Sequence, residues 1–167
     1  MSRAFVKEDD HEEIPFVAPR ADLPPGTPNY VTPNGLDELH AEKAKLIKER
    51  EAVQSNNEGE KRVEKTVINK KLEQLENRIT SAKVIKPEDQ NQDEVRFGAI
   101  VTLNDIQSGN TMKYQIVGVD EANIRKGKIA FTSPLVKVLT NKKVGEKATL
   151  KLPHITKEFE ILEILYR

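Results

Sequence analysis

Residues 36–82 read LDELHAEKAKLIKEREAVQSNNEGEKRVEKTVINKKLEQLENRITSA. Apolar residues fall at Leu36, Leu39, Leu46, Ile47 and Val53, then again at Ile68, Leu72, Leu75, Ile79 and Ala82. The second set steps by four, three, four and three, the narrow seam of a coiled coil. Between the two sets lies Ser55-Asn56-Asn57-Glu58-Gly59, a polar run with turn chemistry. Two helices joined by so short a loop must fold back antiparallel, because each seam needs a partner. The stretch therefore predicts a two-helix rod that presents its tip to something else.

Composition narrows the rest. The chain has 167 residues, and 27 Lys and Arg balance 27 Asp and Glu, so its formal net charge is zero. Net charge thus gives no indication of a general affinity for nucleic acid. Charged residues make up 32% and aromatic residues 5%, a balance that suits a long solvated helical element beside a small core. Cys is absent, which excludes disulfides and thiolate metal sites. Residues 1–10 are polar and acidic and do not read as a signal peptide. No apolar run approaches the roughly 20 residues needed to cross a bilayer. These features lead to the expectation of a soluble cytoplasmic protein.

Residues 1–31 read as an extended or disordered leader. Glu8, Asp9, Asp10, Glu12 and Glu13 cluster, and Pro15, Pro19, Pro24, Pro25 and Pro28 follow. Proline removes donors and bars the helical conformation from the residue before it. One apolar clip, Ile14-Pro15-Phe16-Val17, is a candidate for docking on a partner or on the second domain. The first helix is expected from Thr32-Pro33-Asn34, with Thr32 as N-cap, Pro33 in the first position and Asp37 and Glu38 in the first turn, to Val53 or Gln54. The second should start near Glu58 or Glu60 and end near Ala82-Lys83. Residues 32–84 form the antiparallel coiled-coil hairpin in this reading, and residues 85–94, polar with one proline, form a linker.

From Val95 the apolar period changes to two. Strands are expected over 99–103, 112–118 (with Met112, Tyr114 and Ile116 on one face), 127–131, 148–152 and 159–166. Asp105 to Asn110 is a turn carrying Ser108-Gly109, and Pro134 to Leu139 suits a short helix. The imperfect alternation of Phe159, Ile161 and Leu165 against Leu162 and Ile164 predicts a last strand that is central and buried on both faces. Residues 95–167 are thus expected to form a small antiparallel α+β domain.

Phe97-Gly98-Ala99, Tyr114 with Ile116-Val117-Gly118, Asp120-Glu121-Ala122, Ser133-Pro134-Leu135, Lys142-Lys143-Val144-Gly145 and Glu163-Ile164-Leu165-Tyr166 stand in an order and spacing that resembles the Gre family of bacterial transcription elongation factors. The similarity runs back through Ser81 to Ile85 and into Thr32 to Leu39, covering residues 32–167. The resemblance implies a coiled coil that enters the secondary channel of RNA polymerase and an FKBP-like antiparallel β domain that docks at the channel's rim. It also implies a monomer that meets nucleic acid only through the polymerase and has no membrane partner. In cleavage-competent members, tip carboxylates help hold the second Mg²⁺ of the polymerase active site, so the polymerase hydrolyses its own backtracked RNA. The factor itself is then not an enzyme and carries no cofactor or metal of its own.

The tip departs from the family's Gly-Asp-x-x-x-Glu-Asn-Ala pattern: this chain has Gln54-Ser55-Asn56-Asn57-Glu58-Gly59-Glu60-Lys61-Arg62. The arms are also shorter than usual, by roughly two turns each, or about 11 Å. Mg–O bonds of about 2.1 Å tolerate little misplacement. Glu58 and Glu60 are the remaining tip carboxylates, as catalytic candidates or as first-turn acids that favour the helix dipole. The family's polymerase-facing Ser-Pro segment corresponds to Ser133 and Pro134, with Leu135 behind and Thr132 where relatives often carry Asp. The leading expectation is a factor that modulates elongation from the secondary channel without efficient cleavage. One alternative keeps cleavage through Glu58 and Glu60. Another is a peptidyl-prolyl isomerase, which would need an aromatic-lined pocket from Phe97, Tyr114, Phe131, Phe159 or Tyr166, residues expected to fill the core. His11, His40 and His154 share no metal spacing, and Lys142, Lys143 and Lys147 read as solvated turn lysines or a small basic patch.

Overall fold

The computed structural model of the chain describes residues 15–167. The acidic cluster at 8–13, His11 and Ile14 lie outside them. Two long helices, α1 (Pro33–Glu51) and α2 (Glu58–Ser81), form the antiparallel hairpin. At 1.5 Å per residue they are about 28 and 36 Å long. Thr32 caps α1 by accepting from the Gly35 amide, and Pro33 opens the helix. The first turn of α1 contains no acid: Asp37 and Glu38 fall one turn further in, where the dipole has little effect. α1 ends at Glu51, short of Val53, because Ala52 already forms its C-cap.

The hairpin seam is packed at its lower half. Leu39, Leu46 and Leu75 are buried together with Val31, and Leu36, Ile68, Leu72, Ile79 and Ala82 pack against them. Ile47 and Val53, assigned to the seam by spacing, are only half-buried and stand outside this cluster. The chain enters and leaves the hairpin through a two-stranded parallel ribbon, β1 (Asn29–Val31) against β2 (Ala82–Val84). Asn29 is buried there, and its side-chain amide donates to the Arg78 carbonyl at 2.9 Å, satisfying one of the free carbonyls at the end of α2.

The rest is a five-stranded sheet with one helix: β3 (Ile100–Asp105), β4 (Thr111–Val117), β5 (Lys128–Ala130), α3 (Pro134–Leu139), β6 (Lys147–Lys151) and β7 (Thr156–Leu165), in the order β5-β4-β3-β7-β6. The fold is α+β. The sheet is mixed rather than antiparallel throughout, because β5 runs parallel to β4 after the loop at 118–127. Asp105 closes the β3–β4 hairpin by accepting from the Gln107 amide, and Gly109 supplies the positive φ. The core gathers Val101, Leu103, Ile116, Phe159 and Ile161 from the strands with Val136 and Leu139 from α3.

β7 lies inside the sheet but is not buried on both faces. Thr102 pairs with Glu163 and Leu103 with Ile161, so Leu162 is an extra residue in the register. This bulge turns Leu162 outward, to 41% exposure, while Phe159, Ile161 and Ile164 keep to the core side. The broken alternation was the trace of a bulge, not of a strand covered on both sides.

Candidate functional site

Three places carry the candidate residues: the hairpin tip, the start of α3 and the base where hairpin meets sheet. At the tip, the Asn57 side chain caps α2, accepting from the Gly59 amide at 2.8 Å and the Glu60 amide at 3.4 Å. Both Glu58 and Glu60 are in the first turn of α2. The Glu60 carboxylate accepts a hydrogen bond from the Ser55 hydroxyl at 3.0 Å, which ties it to its own loop. The exposed Glu58 carboxylate has no such tether among the described contacts. The tip thus presents one free and one engaged carboxylate on a helix N-terminus.

At the start of α3, Ser133 has extended backbone and accepts from the Val136 amide at 3.3 Å, the geometry of an N-cap. Pro134 follows in the first position and is exposed. Leu135 is half-buried against the core, and Thr132 is half-buried beside it. Ser133, Pro134 and Thr132 are therefore contiguous surface, with Leu135 as support. Lys137, one turn past Pro134 and exposed, adds a positive charge to this face. Spacing of three along the helix was the available signal for it. The tip carboxylates and the Ser133 group stand on separate elements, so they form two surfaces and not one pocket.

The base holds a charged network that the sequence did not disclose. Glu121 is buried and accepts from Thr32 Oγ, from Asn34 Nδ2 at 2.9 Å and from Lys128 Nζ at 3.0 Å. A Cβ on Gly35, the third residue of α1, would lie 2.7 Å from the Glu121 carboxylate, so a larger residue there would displace it. Likewise a Cβ on Gly118 would meet the Tyr30 carbonyl at 2.5 Å, so β1 rests directly on the sheet domain's backbone. Asp120 accepts from Arg20 Nε at 2.9 Å, and the same guanidinium grips Glu42 with two bonds of 2.7 and 2.9 Å. Hydrogen bonding to Glu42 raises the Arg20 pKa above its ordinary value against the opposing effect of burial.

Tyr30, Phe97 and Phe131 stack in mutual contact at the same junction, with ring centroids 5.4 to 5.8 Å apart. They line a cavity of about 340 Å³. Its polar neighbours are already bonded within the chain: Gln90 to the Phe97 carbonyl, Thr140 to the Val136 carbonyl and Arg96 to Glu94. Tyr114, Phe159 and Tyr166 belong to the core cluster and its packing shell. His40 and His154 are exposed, as are Lys143 and Lys147, while Lys142 is half-buried. Among the described residues, no three His, Cys, Asp or Glu side chains group to hold a metal, and no helix is long and apolar enough to cross a membrane.

Residues 89–166 match the family model "Transcription elongation factor, GreA/GreB, C-term". A protein of Thermodesulfovibrio yellowstonii named transcription elongation factor GreA is 34% identical over 151 residues, spanning 81% of this chain and 96% of its own length. A protein of the same name from Trichlorobacter lovleyi is 41% identical over 99 residues, which is 59% of this chain and 63% of the relative. Among solved structures, GreA factor homolog 1 of Thermus thermophilus is 22% identical, with a TM-score of 0.39 over 81% of this chain and 97% of that one.

Proposed function

The chain belongs to the GreA/GreB family of transcription elongation factors, and from that premise we propose that it binds RNA polymerase, inserts the hairpin into the secondary channel and modulates elongation there without efficient cleavage of backtracked RNA. The observation that carries this reading is the hairpin itself. Its two helices pack on each other and on the β1–β2 ribbon, which leaves residues 52–58 free at the end of a stem some 30 Å long. The surface of Thr132, Ser133 and Pro134, braced by Leu135, is the docking face on the polymerase. Its contact is made by a capped, preformed helix start, so little conformational entropy is lost on binding.

The tip supports the absence of efficient cleavage. Holding a second Mg²⁺ needs several hard oxygen ligands at near-octahedral positions. Here Ser55 engages Glu60, and Glu58 alone is free. A second reading, that cleavage persists, is favoured by that same free carboxylate at the tip.

The experiment is capture of core RNA polymerase by the full-length chain, followed by incubation of backtracked complexes with Mg²⁺. Pro134→Glu should abolish capture. Native protein that captures polymerase but leaves the RNA unshortened supports the first reading. Shortened RNA that vanishes in the Glu58→Ala, Glu60→Ala double variant supports the second, and failure of the native chain to bind polymerase removes both.

A further inference from the structure

Upstream of β1 the chain crosses the base of the hairpin instead of leaving it. Residues 17–21 flank a cavity of about 570 Å³ whose other walls include Glu42 and Leu46 of α1, Gln74 of α2 and Asp120 of the sheet domain. Residues 19–23 flank a second of about 320 Å³ against Asn77 and Arg78 of α2. Between these two hollows the segment is fastened by polar contacts. Arg20 bonds Glu42 on α1 and Asp120 on the sheet domain, and Arg78 of α2 donates to the Ala21 carbonyl. Pro24 and Pro25 enter a turn that the Thr27 amide closes on the Pro24 carbonyl at 3.0 Å, with Gly26 at positive φ, and Pro19, Pro24, Pro25 and Pro28 together reduce the freedom of the segment when it is detached.

We propose that residues 17–31 are a strap that locks the hairpin at one angle on the sheet domain, with Arg20 as its fastening. One guanidinium joins all three bodies: the strap that carries it, α1 through Glu42 and the sheet domain through Asp120. Its side chain is only 17% exposed and that of Asp120 7%. The hollows on either side show that this flank of the joint is not close-packed, so charge pairing holds it where apolar contact does not. Without Arg20, Asp120 is left facing Arg78 at 3.7 Å, and its second oxygen already lacks a hydrogen bond among the described residues. A buried carboxylate left with only that longer ion pair and no hydrogen bond is costly, and swinging the hairpin away is the movement that returns it to water. The strap therefore sets the direction of the finger, whether or not the finger enters a polymerase.

Electron–electron distance measurement between spin labels tests this in the full chain. The sequence has no Cys, so Asn56→Cys at the tip and Thr149→Cys on β6 give a unique pair. A single narrow distance distribution is expected. Adding Arg20→Ala should broaden or split it, and Arg20→Lys, which keeps the charge but loses the fork, should fall between. A second pair, Lys126→Cys with Thr149→Cys, reports on the sheet domain alone and should not change with Arg20→Ala. An unaltered tip distance in Arg20→Ala overturns the proposal. So does a change in the sheet-domain pair, because Arg20 would then hold the sheet together and not the joint.

Discussion

At the base of the hairpin Leu75 is wholly buried, Glu121 has three side-chain partners and two glycines admit backbone or carboxylate where a Cβ would not fit. At the tip Asn56, Asn57 and Glu58 stand in solvent, and the local order rests on the Asn57 cap, the Ser55–Glu60 bond and the Asn57 amide donating to Ser55 Oγ. Both ends belong to the same pair of helices, yet one is held by tertiary packing and the other by local hydrogen bonds. The contrast shows where the stability of this chain lies: at the base of the finger, not at its point. A tip so lightly held can change its residues without disturbing the fold.

Substitutions at the two ends should separate accordingly. Leu75→Ala should cost the most, about 2–5 kcal/mol, because it opens a cavity where the one buried side chain of α2 packs with Leu39 and Leu46 of α1. Chemical denaturation measures it, and a loss of under about 1 kcal/mol would mean that the base is no tighter than the tip. Asn57→Ala should cost about 1 kcal/mol through loss of the cap, read as lowered helicity and a small fall in the unfolding midpoint. A penalty equal to that of Leu75→Ala would erase the distinction.

The smallest effect belongs to Tyr166, which ties the segment before β3 to the end of β7. Its hydroxyl donates to the Glu94 carbonyl and accepts from the Arg96 amide at 2.9 Å. Tyr166→Phe should cost about 0.5 kcal/mol at neutral pH, the low end for a hydrogen bond within reach of water. Burial raises the phenol's pKa above its ordinary value of 10.0, since the folded chain favours the neutral form. The unfolded chain then loses its proton first, so the stability linked to Tyr166 is complete below about pH 10 and is lost as pH rises through the folded value. Titration of stability toward alkaline pH should be flatter in Tyr166→Phe than in the parent.

What the sequence disclosed follows from the range of the interactions. The hairpin was legible because a heptad seam, a Thr-Pro start and a polar loop are local signals, and Ser133-Pro134 announced α3 in the same way. The parallel pairing of β5 was not legible, because it depends on the path of residues 118–127 and not on any alternation. Leu162 shows how a pattern misleads: one inserted residue mimicked a strand covered on both faces. The network at the base was hidden for a similar reason. Asp120 and Glu121 are two adjacent acids whose partners, Lys128 apart, lie at residues 20, 32, 34 and 78, too far along the chain for spacing to connect them. Tyr30, set in a proline-rich stretch, gave no sign that it would complete a trio with Phe97 and Phe131.

The side-by-side pairing of Asn29 with Ala82 and Val31 with Val84 places the exit of the finger next to its entrance. Everything between these residues is an excursion from a closed doorway. Matched turns can be added to or removed from both arms while the doorway, and all that is fastened to it, stays where it is. Reach becomes a quantity that mutation can adjust separately from aim, so descendants of one scaffold can come to touch different depths of whatever they probe.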